Sequence, residues 1–264
     1  MRALITGVSR GIGRTLCLQL AADAIARGEK PRVAAAATGK SEDVHNVVAE
    51  LKAMGAEAAA ITGDLTDADE TVRVAEEALR FCGGLDALVN NAGFPILGTL
   101  RDVKVRHWDK MFAINVRSTL LLGRVAYDAL KEARGSICAI ASGSAEMVAP
   151  ALTGYSSSKA ALVMLTRQMA YEWGPDGIRV NCVSPGMTHS RSTESWNDEN
   201  VKFREARLPL RRLAQPEDIA RVVSFLCDPR VTYVTGENIN VDGGARFMAM
   251  DHLIPPGPRN YNTK

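Results

Sequence analysis

Seven short apolar runs, each parted from the next by a longer stretch with helical spacing, constrain this chain more than any other feature. The runs cover residues 2–6, 32–37, 58–62, 87–90, 136–141, 179–183 and 238–241. Between them apolar positions recur at intervals of three and four, as in residues 66–81, where Thr66-Asp67-Ala68-Asp69 reads as a capping box with aspartate in its last place. A second helix start is marked at Gln215-Pro216-Glu217-Asp218, with proline in the first turn beside two acids. Strands alternating with helices of this length build βαβ units, hence a parallel sheet with helices on both faces. No Pro/Gly/Ser-rich linker, repeat or low-complexity stretch interrupts the pattern. The expected fold is α/β: a single doubly wound domain of Rossmann type over residues 1–264, its sheet of about seven strands. Two segments escape the alternation. Residues 186–208 are long and polar with a lone Trp196 and Phe203, and are expected to form a lid; residues 245–264 form a tail with Pro255, Pro256 and Pro258.

Composition excludes several function classes. The net charge is +2 with no basic stripe, so nucleic acid is not an expected partner. No apolar run approaches the roughly 20 residues of a membrane span. Cys17, Cys82, Cys138, Cys182 and Cys227 never fall in C-x-x-C spacing, and none of the four histidines has a partner at ligand spacing, so no disulfide framework and no metal are expected. Free thiols suit a reducing compartment, and a strand that begins directly after Met1 leaves no room for a signal peptide. A cytoplasmic location is expected.

Directly after the first run stands "TGVSRGIG", residues 6–13. Gly7, Gly11 and Gly13 permit a tight turn, close approach of backbone to a pyrophosphate, and a helix whose N-terminal amides face the phosphates. With Ser9, Arg10 and Ile12 between them, they form the expected dinucleotide loop. Charge favours NADP(H). A carboxylate closing the second strand would hold a ribose 2′-OH and repel a 2′-phosphate, but "RVAAAATGK" places Ala37 and Thr38 there and no acid before Glu42. Arg10 can reach the same region. NAD(H) stays open, because Glu42 could bend back to a ribose and Arg10 and Lys40 could be merely solvated.

"YSSSK", residues 155–159, places Tyr155 and Lys159 on one helix face. A phenol with an ordinary pKa of about 10 carries protons poorly at neutral pH unless cations favour its anion. Lys159 supplies one cation and an oxidised nicotinamide would supply another. Tyr155 then serves as general acid for ketone reduction or base for alcohol oxidation.

Eight segments in order resemble the short-chain dehydrogenase/reductase family over nearly the whole chain: "TGVSRGIG", "LVNNAG" at 88–93, "INV" at 114–116, "IASGS" at 140–144, "YSSSK", "VNCVSPG" at 180–186, "PEDIA" at 216–220 and "VDGG" at 241–244. The resemblance implies that Asp64 and Leu65 flank the adenine, that Asn91, Ala92 and Gly93 line the ribose side, and that Pro185 and Gly186 bend the chain beneath the nicotinamide. It implies that Lys159, beside Tyr155, also holds the nicotinamide ribose. Ser142 matches the family's catalytic serine by its distance before Tyr155, with Ser144 as the alternative. Asn115 matches the residue that positions a water behind Lys159, or else satisfies buried backbone. Thr188 and Ser190 stand where the family commonly has a branched aliphatic residue and a threonine. That departure bears on the nicotinamide contacts. A homo-oligomer, tetramer or dimer, is expected from the resemblance alone.

Substrate contacts are expected from loops at 94–97, 143–152 and 186–208. Phe94, Ile96, Met147, Val148, Met187 and Trp196, with Ser144, would make a mostly apolar pocket. Glu146 is read as a solvated loop residue. The expected reaction is hydride transfer between NADP(H) and a small-molecule carbonyl or secondary alcohol. Three alternatives accompany it. A 3-oxoacyl-carrier-protein reductase of fatty-acid type would dock an acidic carrier, which Glu172 and Asp176 in "EWGPDGIR" oppose. A non-catalytic dinucleotide sensor would need the glycine loop but not Tyr155. A serine hydrolase would use Gly7-Val8-Ser9-Arg10-Gly11 as a nucleophile elbow, although Gly13 and the lack of triad partners speak against it.

Overall fold

The structure, a computed structural model, describes residues 1–38, 42–189 and 196–247. Seven parallel strands form one sheet in the order β3-β2-β1-β4-β5-β6-β7. They are β1 (Arg2–Thr6), β2 (Arg32–Ala37), β3 (Glu57–Thr62), β4 (Ala87–Asn90), β5 (Ser136–Ile140), β6 (Arg179–Pro185) and β7 (Asn238–Val241). The helices are α1 (Gly11–Ala26), α2 (Glu42–Ala53), α3 (Ala68–Cys82), α4 (Val105–Phe112), α5 (Ser118–Ala133), α6 (Tyr155–Trp173), α7 (Asp198–Glu205) and α8 (Pro216–Cys227).

Alternation within the strands assigns side chains to two cores. Ala3, Ile5, Val33, Ala35 and Val89 pack under α1, α2 and α8, whereas Leu4, Ala34, Ala36, Leu88 and Ile137 face α3, α5 and α6. The alanines of β2 pair with β1 on one side and β3 on the other, and their small side chains let helices from both faces approach the sheet closely.

Sequence and structure differ locally. The cap of α3 is Asp67, not Thr66: its side chain accepts from the Glu70 amide at 2.9 Å, while the Thr66 hydroxyl donates to Asp64 at 2.7 Å. Thr66 is thus held in the turn before the helix. β6 continues to Pro185, because β7 pairs with it as far as Pro185↔Val241. A π-helical turn, Ala113–Arg117, joins α4 to α5. Within the lid segment, α7 is capped by Asn197, whose side chain accepts from Asn200 at 2.9 Å. Lys40, Ser190 and residues 248–264 of the tail lie outside the described residues, as does the side chain of Glu42.

Candidate active site

Both halves of the site form where β1, β4 and β5 end. Thr6 closes β1 and ties the glycine loop to β4: its hydroxyl donates to Asn90 at 2.7 Å and accepts from the Asn91 and Ala92 amides at 3.1 and 3.0 Å. Asn90 donates in turn to Ser118 and Thr119 of α5 at 3.0 and 2.5 Å. All four polar residues of this knot are buried, so each hydroxyl and amide needs the partner it has. Asn91 donates its side-chain amide to the carbonyls of Thr6 and Gly7 at 3.1 and 3.0 Å. Its amide therefore supports the loop from behind rather than lining the cleft.

The loop itself leaves no room for side chains. A Cβ on Gly13 would fall 2.1 Å from the Gly7 carbonyl oxygen, so only glycine lets α1 start so close to the strand. No side chain caps α1, and its first-turn amides keep their capacity to bind an anion. In front of the loop is a cavity of about 320 Å³, walled by Gly7, Ser9, Arg10, Ala37, Thr38, Leu65, Ala92, Gly93 and Phe94. Gly11 and Gly13 shape the loop behind this wall, and Ile12 packs into the core. Asp64 is exposed and turned toward Thr66, whose backbone and hydroxyl bonds lower its pKa. Gly186, next to Pro185 at the end of β6, abuts Asp242, where a Cβ would approach the Asp242 Cα to 2.6 Å. Thr188 is buried and donates to the Gly186 carbonyl at 3.1 Å. Arg10 and Thr38 are exposed at the wall, and no carboxylate among the described residues pairs with Arg10.

Tyr155 opens α6 beside Ser142, the residue that caps the short 3₁₀ turn Gly143–Ala145 at the end of β5. Ser142 Oγ accepts from the Ser144 amide at 3.2 Å and from its hydroxyl at 3.0 Å, so the two candidate serines act as one linked pair. Lys159 lies one turn on, 3 % exposed. Its Nζ donates to the Ile140 carbonyl at 2.7 Å and sits 5.7 Å from the Tyr155 ring centroid. Burial brings the ammonium down to about 8. Burial also raises the Tyr155 phenol, against the smaller pull of its hydrogen bond to Ser142. Lys159 was expected to lower Tyr155. In the structure the lowering influence is Ser142 and the net direction is upward, because the ammonium is turned to a carbonyl and is itself disfavoured by burial.

Asn115 enters from the π turn, a distortion that recurs at functional sites. Its Nδ2 donates to Ser158 Oγ at 3.0 Å and to the Phe94 carbonyl at 3.4 Å, while its Oδ1 is buried without a hydrogen-bond partner. A Cβ on Gly93 would lie 2.5 Å from that oxygen and 3.2 Å from Lys159 Nζ. Glycine thus leaves a gap bordered by an acceptor and an ammonium. Ser158, fully buried, donates to the Tyr155 carbonyl at 2.7 Å while accepting from Asn115. Sequence reasoning passed over Ser158. The available signal was its place three residues after Tyr155, on the same helix face.

A second cavity, of about 610 Å³, lies on the other side of Ser144 and is lined by Leu100, Ser144, Met147, Val148, Leu152 and Ser156 among others. Ser144 and Met147 are where the substrate wall was expected. Phe94, Met187 and Trp196 are not. Phe94 follows Gly93 directly and turns into the glycine-loop cavity, with Lys110 Nζ 5.9 Å from its ring centroid. Met187 lines a separate cavity with Leu208 and Leu210, and Trp196 stacks against Arg204 at 4.1 Å. Glu146 is exposed yet not merely solvated: it accepts from Asn238 and Asn240 at 2.8 and 3.2 Å, fastening the turn after β5 to β7. None of the described histidines lines the cavity that Ser9 faces, so no histidine base is placed there among the described residues as a hydrolase would need.

The chain is similar to known proteins over almost its whole length. A family model described as Enoyl-(Acyl carrier protein) reductase matches residues 7–246. The 3-oxoacyl-[acyl-carrier-protein] reductase FabG of Staphylococcus aureus is 35% identical over 243 residues, 92% of this chain and 96% of that protein. A blue fluorescent protein from a metagenomic library, in complex with NADPH, superposes with a TM-score of 0.83 at 34% identity, covering 92% of this chain and 96% of that one. A short chain dehydrogenase from Burkholderia cenocepacia in complex with NADP gives 0.85 at 33% identity, covering 92% and 97%.

Proposed function

The chain belongs to the short-chain dehydrogenase/reductase family, and from that premise we propose that it is an NADP(H)-dependent oxidoreductase acting on a small-molecule carbonyl or secondary alcohol. One observation carries the reading: Ser142, Tyr155, Lys159 and Asn115 converge at the ends of β4 and β5, between a glycine-loop cavity and a largely apolar one. The residues fit a dinucleotide, since Gly13 lacks the Cβ that would close the loop and the amides of α1 are uncapped. Bound NADPH supplies the hydride.

The remaining work falls to side chains. Ser142 and Tyr155 hold the substrate oxygen from one side, and Tyr155, protonated at neutral pH because burial raises it, gives that oxygen its proton. Lys159, charged below about pH 8, lies along the path by which the phenol regains a proton. The gap between Asn115 Oδ1 and Lys159 Nζ suits a water that completes the relay. Exposed Arg10 and Thr38, with no carboxylate closing β2, favour a 2′-phosphate, and the NADPH and NADP complexes of the two structural relatives support the same choice.

A carrier-bound 3-oxoacyl substrate is the second reading, supported by the FabG relative. The acidic turn that opposes a carrier is partly offset, since Asp176 is ion-paired with Lys131 at 2.7 Å. Exposed Arg101, Lys104 and Arg106 follow directly on Leu100 at the rim of the second cavity. Fluorescence titration with NADPH and NADH, followed by turnover of free ketones against an acetoacetyl carrier protein, separates these readings. Tighter NADPH binding with turnover of free ketones supports the first, and turnover confined to the carrier substrate replaces it with the second. Cofactor binding with no turnover of either would favour a sensor.

The protein is also proposed to be cytoplasmic and oligomeric. All five cysteines are free and buried, with burial pushing Cys182 and Cys227 up to about 11, so these thiols are inert rather than paired.

A further inference from the structure

The N-terminal ends of the strands carry a polar centre that the reaction does not use. There, across the sheet from the glycine loop, a cavity of about 230 Å³ opens between the starts of β5 and β6 and the C-terminus of α8. Arg179 lines it and is 9 % exposed, yet its guanidinium donates only to main-chain carbonyls, Leu226 at 2.8 Å and Asp228 at 3.3 Å. A guanidinium so far from water calls for a compensating anion. The C-terminus of one helix offers the equivalent of about half a charge. Glu29 and Asp86 also line the cavity but are engaged with Arg27 and Arg2, each at 2.6 Å, and Asp228, whose charge favours the Arg179 cation, is bonded to Arg230 at 2.6 Å and shared with Arg27 at 3.5 Å.

Two further observations point into the same space. Ser136 Oγ, on a residue 1 % exposed, lines the cavity with no hydrogen bond of good geometry and only the Cys227 thiol beside it. Arg134 stands exposed at the rim, its guanidinium without an ion pair among the described residues.

We propose that this cavity is an anion site, taking a phosphate-class oxyanion between Arg134 and Arg179 with the Ser136 hydroxyl as a third donor. Guanidinium forks match the edges of a phosphate group, and a hydroxyl reaches a remaining oxygen. The anion adds to the partial compensation that Asp228 gives Arg179. The site is separate from the glycine-loop cavity, with the length of the strands between them.

The test is thermal unfolding of the full chain in inorganic phosphate against sodium chloride at matched ionic strength, with glycerol 3-phosphate as a second probe that distinguishes an esterified phosphoryl group from the free anion. Phosphate also stabilises proteins generally by exclusion, without saturating, so the signature is a stabilisation that saturates. We expect a saturating rise in Tm with phosphate but not chloride, a midpoint weakened at least about tenfold in Arg134→Ala and in Ser136→Ala, and no change of midpoint in Arg10→Ala at the glycine loop. A response that does not saturate, that survives both site variants, or that is lost in Arg10→Ala overturns the proposal. Arg134 is exposed, so its variant decides the matter if Ser136→Ala does not fold.

Discussion

At Lys159, burial and charge oppose each other most directly. Its folded-state value of about 8 lies below the ordinary 10.5, so the charged form is disfavoured in the native state. The resulting penalty is fully present below pH 8 and is relieved between about 8 and 10.5, where the native form has lost a proton that the unfolded chain still holds. Stability of the wild type relative to Lys159→Met should therefore rise across that window. Urea unfolding from pH 7.5 to 10.5 on both proteins measures it, and a flat difference would show that Lys159 titrates normally. Ser158 makes a second residue-scale case. Because it accepts from Asn115 at 3.0 Å, it turns the amide so that Oδ1 faces Lys159. Ser158→Ala should lower kcat roughly tenfold with NADPH affinity kept, as expected for one lost hydrogen bond, and Ser158→Thr should restore part of it. Equal losses in affinity and kcat would assign Ser158 to folding alone.

Elements place these residues, and the places where sequence reasoning reached them differ in kind. Strand positions were legible because every strand but the edges is buried on both faces, which writes short apolar runs such as "ALVN" into the chain. The cap of α3 was misplaced by one residue because Thr66 and Asp67 are both good caps in isolation, and the capping pattern does not show that Asp64, two residues earlier, draws the Thr66 amide and hydroxyl into a local turn. Asp67→Ala should cost about 1 kcal/mol and Thr66→Ala clearly less; a reversed order in urea midpoints would return the cap to Thr66. The π turn had no sequence signature at all. "AINVR" reads as ordinary helix, and in the fold this turn packs against α6. The expected substrate wall is divided between cavities for a related reason: Phe94 and Met147 are both apolar loop residues, and only the direction of the chain after β4 places Phe94 in the glycine-loop cavity and leaves Met147 in its neighbour.

Over the whole molecule, one sheet presents chemistry at its carboxyl edge, with glycine loop, acid and relay side by side, while its amino edge holds an undercompensated arginine. The end proposed to be catalytic was legible because its residues stand in short contiguous motifs. The amino end was not, since Arg134, Ser136 and Arg179 are brought together only by the register of β5 and β6. The exterior carries its own prediction. Met164 and Tyr171 on α6 are 60% and 84% exposed, and Phe225 on α8 is 51% exposed, more apolar surface on two helices than a solitary domain gains from displaying. Light scattering coupled to size exclusion should return a multiple of the 28.4 kDa chain mass, and a monomer at micromolar concentration would contradict the proposed homo-oligomer.

The most direct test of the account is to compare NADPH binding and ketone turnover in the wild type and in Tyr155→Phe. Loss of the one hydroxyl that can protonate the substrate oxygen should cut turnover by at least about a hundredfold while the fluorescence-measured NADPH affinity stays the same. A Tyr155→Phe variant that reduces ketones at the wild-type rate would contradict the role of Tyr155 and with it the mechanism built around α6.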